Sequence, residues 1–389
     1  RDAEGKLGGF LNSCRHRGAV VCHTERGNAK FHVCHYHGWV YDSGGRNVDV
    51  KDRKQGCYAP AFDTQDHDLM RLARFAEYRG FLFGSLNAEV PSLEEHLGDA
   101  RRFIDLVVDQ SPHGVELVPG RSTYVYKGNW KLQIENCTDG YHLTSTHRSF
   151  ISIVDRRNAG DSRHRLKVFD MRGLGRPDVV RGTFNFRNGH VTTWGTNPTP
   201  EAQPLYALVD ELRQRVGERT TEWMLQYRNL TIYPNLQVAA NASLQLRVIR
   251  PLSVDRTEMR IYCLAPIGEP ESAREYRLRQ FEDFFNATGL ATPDDNVCYE
   301  DCQSGDLARG DGWLQGYARG IAATRNGPDE HASELGVRPE QTVAGPFNIA
   351  NEVVFHAAYR EWVRLMRKGF ERKGRQGPPQ AAASPGRPQ

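Results

Sequence analysis

Residues 12–39 read NSCRHRGAVVCHTERGNAKFHVCHYHGW, three cysteines and five histidines in one short window. Two loops within it each offer one thiol and one imidazole. Cys14 and His16 form C-x-H, Cys34 and His37 form C-x-x-H, and 17 residues separate His16 from Cys34. A zinc finger usually pairs like with like, two cysteines from one turn and two histidines from one helix. Mixed loops suit a Rieske 2Fe-2S cluster instead, in which two thiolates hold one iron and two neutral imidazoles hold the other. Two hairpin tips facing one another would each send one ligand of each kind. Gly18 and Gly38 follow the two pairs, where the backbone must turn tightly around the sulfurs. Cys22, His23, His32 and His35 share the window and are read as ordinary loop residues. A zinc site remains the competing reading of the four chosen positions.

Working outward, the 389 residues suffice for two or three domains with real cores. A hydrophobic content of 39% and a charged content of 25% describe an ordinary globular chain. With Lys+Arg 51 against Asp+Glu 48, the net charge is only +3 and the basic residues are scattered, so there is no electrostatic footprint for nucleic acid. No apolar run approaches the roughly 20 residues of a membrane-spanning helix, and nothing resembles a secretory leader, so a cytoplasmic protein is expected. Eight cysteines are too sparse for a disulfide scaffold and read as reduced thiols or metal ligands. The chain opens at Arg1 without a methionine and close to the strand-like GGFLNS, which reads as a truncated start.

Turn-punctuated β runs place a small antiparallel domain over residues 1–83, followed by a connector over 84–120 with one helix around LEEHLGDARRFIDLVVDQ. A larger domain is predicted over 121–371. It starts with the strand STYVYKGNW, continues as a helix across KLQIENCTDGYHLTSTHRSF, and returns to strands at GTFNFRN, RNLTIYPNLQVAA, LQLRVIRPLSV and EMRIYCLAP. Helices follow at ESAREYRLRQFEDFFNATG and ANEVVFHAAYREWVRLMRKG, and residues 372–389, rich in Pro, Ala and Gln, are expected to be disordered.

A second constellation lies in NWKLQIENCTDGYHLTSTHRSF, residues 129–150. His142 and His147 are five positions apart, Asp139 precedes His142 by three, and Glu135 and Asn136 lie one turn earlier. On a helix Asp139 and His142 share a face, whereas His147 needs a slightly unwound turn to converge on the same metal. Two histidines and one carboxylate form the facial triad of non-haem Fe(II) oxygenases, which leaves positions open for dioxygen. The third ligand is sought in ATPDDNVCYED, residues 291–301, where spacing does not separate Asp294 from Asp295.

The joint order CRH…CHYHGW, then NWKLQIEN..DGYH....H, then ATPDD resembles the large subunit of Rieske non-haem iron aromatic-ring-hydroxylating dioxygenases. The segments RDAEGKLGGFLNSCRHRGA, YRGFLFGSLNAEVPSLEEHLG, VDQSP, RVIRPLSVDRTE and EDFFNATGLATPDD look most like the benzoate and anthranilate dioxygenase branch. The resemblance implies an α+β fold, an antiparallel Rieske β-domain followed by a helix-grip catalytic domain with an antiparallel sheet covered by helices. It implies Cys14, His16, Cys34 and His37 as ligands of the 2Fe-2S cluster, and His142, His147 and Asp295 as ligands of a mononuclear Fe(II). Asp139 would link a cluster histidine of one subunit to His142 of its neighbour, making trimerisation a condition of activity.

Also implied are a small aromatic substrate, dioxygen, a flavin and iron-sulfur reductase fed by NAD(P)H, and a small β-subunit in a trimer or α3β3 hexamer. The expected product is a cis-dihydrodiol, or a catechol if a ring substituent leaves. Asn136 and Tyr141 are candidates to line the iron site. Arg148 and Arg247 are candidates for the bidentate partner of an acidic substrate's carboxylate. A monooxygenase or demethylase of the same superfamily, a Rieske electron carrier without oxygenase activity, and a zinc-stabilised binding protein are the competing functions.

Overall fold

A computed structural model describes residues 1–159, 179–241, 243–308, 316–345 and 351–376. The chain divides into two units, Arg1–His96 and Leu97–Gln389.

In the first unit, short β-branched and aromatic runs pair as a three-stranded antiparallel sheet of β1 (Phe31–Val33), β2 (Val40–Asp42) and β3 (Asn47–Asp49). A separate hairpin joins β4 (Arg74–Tyr78) to β5 (Phe81–Ser85). The core beneath the two cysteine loops is Cys14, Val21, Cys34, Trp39, Tyr41 and Val50.

Beyond it, α1 (Leu93–Leu97) and α2 (Arg101–Val108) replace the single helix expected in the connector. In α2, Phe103, Ile104, Leu106, Val107 and Val108 are buried. The second unit is a ten-stranded antiparallel sheet. Its strands are β6 (Val115–Leu117), β7 (Ser122–Tyr126), β8 (Arg181–Asn185), β9 (Val191–Gly195), β10 (Tyr227–Ile232), β11 (Leu236–Ala240), β12 (Leu244–Ser253), β13 (Arg256–Pro266), β14 (Arg325–Asn326) and β15 (Gln341–Ala344). Their order is β14-β15-β8-β9-β10-β11-β12-β13-β6, with β7 also paired to β13. Helices α3 (Trp130–Thr138), α4 (Leu143–Thr146), α5 (Arg148–Ala159), α6 (Val209–Val216), α7 (Glu218–Leu225), α8 (Glu271–Phe284), α9 (Thr292–Ala308), α10 (Glu330–Leu335) and α11 (His356–Gln376) complete it.

The side-chain alternation of strands decides what meets the helices. Asn229 stands opposite Thr193 and Ala239, and Gln237 opposite Thr231 and Arg247, so these residues share one face of the sheet. That face holds α3 by polar contacts rather than by oil alone. Gln133 Nε2 donates to Gln237 Oε1 at 3.1 Å, Gln237 Nε2 donates back to the Gln133 carbonyl at 3.0 Å, and the Thr193 hydroxyl donates to the Thr138 carbonyl at 2.9 Å. Buried polar groups that satisfy one another in this way fix a register that apolar contact leaves free.

Two local expectations are corrected. The helix predicted as continuous across residues 131–150 is three pieces, because Asp139 leaves helical geometry (φ −82°, ψ 116°) and Gly140 follows it. The last helix continues through Gln376, five residues into the span expected to be disordered, since Arg372, Lys373, Arg375 and Gln376 are good helix formers. Residues 377–389 lie outside the described residues.

Candidate active site

The two cysteine loops of the first unit are built alike. Cys14 N–H donates to the Ala19 carbonyl and Cys34 N–H to the Trp39 carbonyl, both at 2.8 Å. Gly18 N–H returns to the Cys14 carbonyl and Gly38 N–H to the Cys34 carbonyl, both at 2.9 Å. Closing each loop puts the glycine at positive φ, +76° and +72°, where a side chain would strain the backbone. Both thiols are buried, whereas His16 is exposed and His37 is half-buried. The two rings approach edge to face with their Nδ1 atoms 3.1 Å apart. Tyr41 Oη lies 3.1 Å from Cys14 Sγ and accepts the Arg15 N–H at 3.0 Å, which leaves its own proton to give to a thiolate. Of the neighbours, His23 and His35 stack on each other and Cys22 is exposed.

In the second unit, the helix break at residues 139–141 assembles the other site. Asp139 Oδ1 accepts the Tyr141 N–H at 2.6 Å, an Asx turn that reverses the chain. Its other oxygen, Oδ2, lies 3.0 Å from His142 Nδ1. That contact orients the ring so that Nε2 faces inward. A second irregular residue, His147 (φ −96°, ψ 32°), separates α4 from α5 and turns its imidazole to the same point. From 148 residues further along, the first turn of α9 delivers Asp295.

His142 Nε2 is 3.4 Å and His147 Nε2 3.3 Å from Asp295 Oδ1. Bonds of roughly 2.1 Å at right angles put neighbouring donors about 3 Å apart, close to these two separations, so the trio can share one metal ion. Among the described residues, His142, His147 and Asp295 form the group whose donor atoms all lie within 4.8 Å of one another.

Asp294 points elsewhere. Its Oδ2 accepts the Ser149 hydroxyl at 3.2 Å and stands 3.6 Å from His147 Nδ1. Asn136 Nδ2 donates to Asp295 Oδ1 at 3.0 Å and lies 3.3 Å from His142 Nε2. Burial works against charge on His142, but Asp139 and Asp295 outweigh it and hold its pKa up at about 10. The two histidines in turn hold the buried Asp295 carboxyl well below its usual range despite desolvation. A site that gathers this much negative charge around two imidazoles retains a proton or takes a cation in its place.

The trio opens on a cavity lined by Leu143, Phe150, Trp194, Phe284 and Phe285 together with Asp139 and Gly140 of the α3–α4 turn. Tyr141, in contrast, is exposed, its ring under the Arg319 guanidinium at 4.3 Å. Arg148 is exposed and does not line the cavity, whereas Arg247 lines it and is buried. Sequence reasoning missed Arg181, Arg228 and Trp194 in the walls. The available signal was an arginine at the start of each of two β-patterned runs, Arg181 just before GTFNFRN and Arg228 first in RNLTIYPNLQVAA, which is costly to bury without purpose.

Residues 116–368 match the family described as ring hydroxylating alpha subunit (catalytic domain), and residues 1–67 match the Rieske [2Fe-2S] domain. The chain is 42% identical over 379 residues to the toluate 1,2-dioxygenase subunit alpha of Pseudomonas putida, spanning 96% of this chain and 81% of that one. It is 40% identical to the 2-halobenzoate 1,2-dioxygenase large subunit of Burkholderia cepacia (95% and 79%). Against the anthranilate 1,2-dioxygenase large subunit of Acinetobacter baylyi the identity is 39% (96% and 79%). The naphthalene 1,2-dioxygenase of a Rhodococcus species, solved with indole bound, superposes with a TM-score of 0.74 at 26% identity, covering 94% of this chain and 82% of that one. A Rieske 2Fe-2S cluster and a mononuclear iron are accordingly the cofactors. A Rieske domain and a catalytic domain in one chain, and likeness to these enzymes over nearly all of it, lead to one conclusion: the chain belongs to the ring-hydroxylating dioxygenase alpha subunits, in the branch of the toluate, 2-halobenzoate and anthranilate enzymes.

Proposed function

We propose that this chain is the large subunit of a terminal oxygenase that adds both atoms of dioxygen to ring positions 1 and 2 of a benzoate-like aromatic acid. The observation that carries the proposal is the convergence of His142, His147 and Asp295 on one point at the edge of an aromatic-walled cavity. That the similar enzymes are named for toluate, 2-halobenzoate and anthranilate, all ring acids, supports the choice of substrate. Ring, dioxygen, two electrons and two protons balance to a cis-dihydrodiol. The electrons come from NAD(P)H through a flavin and iron-sulfur reductase.

In this proposal Cys14, His16, Cys34 and His37 hold the cluster, and His142, His147 and Asp295 hold the iron. When bound, the cluster supplies electrons singly, and a ferrous ion with two histidines and one carboxylate keeps positions open for dioxygen. Asp139 Oδ2, 3.0 Å from His142 Nδ1, favours the tautomer that carries its proton on that nitrogen and raises the basicity of Nε2. Asn136 restrains the Asp295 carboxylate through its amide. Phe150, Phe284 and Leu143 exclude water and give the ring a flat apolar seat. The buried thiols and outward imidazoles of the first unit make His16 and His37 the edge through which electrons pass. We further propose a trimer or α3β3 hexamer with a small β-subunit, and a cytoplasmic location. All eight cysteines are free, and among the described residues no helix is long and apolar enough to cross a membrane.

The test is a single turnover. Holoenzyme with any β-subunit is reduced, then given ¹⁸O-labelled dioxygen with benzoate, anthranilate, 3-methylbenzoate or 2-chlorobenzoate. A product carrying two labelled oxygens is expected. One labelled oxygen would make the enzyme a monooxygenase, and no product from any acid would remove the substrate class.

A further inference from the structure

Three arginines line the cavity, Arg181, Arg228 and Arg247, and each is nearly excluded from solvent (3%, 3% and 6% exposed). A buried guanidinium is costly unless an anion or a ring of acceptors meets it. The carboxylates in the same cavity wall, Asp139 and Asp295, are already engaged with His142 and His147.

Their places in the sheet separate the three. Arg228 stands opposite Trp194 and Ala240, on the face away from α3, and its Nη1 donates to the Trp223 and Gln226 carbonyls. Arg181 stands opposite Gly195, whose missing side chain makes room for it, because a Cβ there would lie 3.1 Å from Arg181 Cγ. Arg247 stands opposite Gln237, on the face that carries Thr193, Asn229 and the contacts to α3. Four strand spacings, roughly 19 Å of sheet, separate the β8 position of Arg181 from the β12 position of Arg247.

Arg247 is also the arginine joined to the metal trio by packed rings. Phe285, beneath it, meets Phe284 edge to face at 4.2 Å, and the Phe284 ring lies 6.0 Å from that of His147. The Arg247 guanidinium carbon lies over the Phe285 ring, 4.4 Å from the ring centre, and its Nε donates to Gln245 Oε1 at 2.9 Å. Among the described residues no carboxylate stands within 4.0 Å of it. The guanidinium is therefore held against an aromatic ring, its Nε edge is tethered, and the pair of terminal amines is left as a preformed fork for a planar bidentate anion.

We infer that Arg247 is the specificity-determining residue that anchors the ring carboxylate of the substrate, with Gln245 and Phe285 holding its fork in place. The inference rests on the proposed oxidation at ring positions 1 and 2. Carbon 1 bears the carboxylate and carbon 2 is its ring neighbour, so the anchor must stand beside the metal. Arg247 does so, and Arg181 stands at the far side of the sheet. Binding an anion there also neutralises a charge that the fold has taken out of water.

The test compares benzoate with its uncharged isostere benzamide on wild-type, Arg247→Gln and Arg247→Lys holoenzymes, after cluster absorbance and iron content are matched. Losing one partner of a desolvated charge pair costs on the order of 10²- to 10³-fold in affinity. Wild type is expected to prefer benzoate, in KM and in Kd by calorimetry on the resting protein. Arg247→Gln is expected to lose that preference by about 10²-fold or more, and Arg247→Lys, which keeps charge without the fork, to recover part of it. A purely structural role would weaken benzoate and benzamide alike. An undiminished preference in Arg247→Gln, or a wild type that binds benzamide as well as benzoate, overturns the inference. Because the calorimetric readout needs no turnover, it decides Arg247 even where the oxygen-label experiment finds no dihydroxylation. Should Arg247→Gln not fold, the wild-type pair and Arg247→Lys still separate an anchoring role from a structural one.

Discussion

Replacing Glu135 by glutamine should stabilise the protein above neutral pH and leave it nearly unchanged in mild acid. Glu135 sits on α3 one turn before Asp139 and accepts hydrogen bonds from Tyr317 Oη at 3.0 Å and from Tyr359 Oη. Burial raises its pKa, the two tyrosines pull it back, and Asp139 adds repulsion; the balance lies at about 7 against an ordinary 4.5. The folded protein thus holds this proton more tightly than the unfolded chain does. Stability from this group is greatest below pH 4.5, declines as pH rises and levels off once pH passes about 7. At 1.36 kcal/mol per pH unit the full loss is about 3 kcal/mol. Glu135 retains partial contact with solvent, which reduces the expected figure to about 1–2 kcal/mol. Glutamine keeps an acceptor for the tyrosines and has no charge to bury. Melting of wild type and Glu135→Gln by circular dichroism at pH 5 and pH 8 should show a gap that is larger at pH 8 by roughly 2–4 °C. A gap of the same size at both pH values would refute the reasoning, because it would mean that Glu135 titrates as an ordinary carboxyl.

Three other outcomes follow from contacts already described. Tyr41→Phe removes a hydroxyl 3.1 Å from Cys14 Sγ. With about 1 kcal/mol of preference for the more negative reduced cluster lost, redox titration should find the midpoint roughly 40 mV lower with the colour retained. Asp139→Asn leaves His142 without its carboxylate partner, so iron retention during dialysis against a chelator should fall about 10- to 100-fold while cluster absorbance holds. Gly182→Ala would drive a Cβ to 2.6 Å from the Trp194 ring, a rigid neighbour, and should cost about 1–3 kcal/mol in thermal denaturation.

What the sequence revealed of the sites, and what it withheld, follows from how far each contact reaches along the chain. The two cysteine loops were legible because both are local, with each cysteine, histidine and glycine inside five residues. His142, His147 and Asp139 were legible as a pattern, but their geometry was not, because the helix expected to carry them is cut by an Asx turn that also uses Asp139. The choice between Asp294 and Asp295 was beyond spacing altogether. It is made by the docking of α9, which turns one carboxylate to two imidazoles and the other to Ser149. Strand β9 escaped notice because VTTWG is buried along its whole length and so shows no alternation. Arg181 and Arg228 were hidden for another reason: each reads as a surface residue at the edge of a strand run until its neighbours across the sheet are known, whereas Arg247 was already a candidate.

The distance along the chain between His147 and Asp295 has a mechanical consequence. An ion shared by these residues ties α4 to α9 across a loop of roughly 150 residues, and closing such a loop from a free chain costs about 4 kcal/mol. The metal is then a fastener as well as a reagent. It can be captured only after the sheet between the two segments has formed, so loading is a late event in maturation. Iron-depleted protein should exchange amide hydrogens faster in α9 than loaded protein does. Equal rates would mean that side-chain packing alone keeps the helix shut.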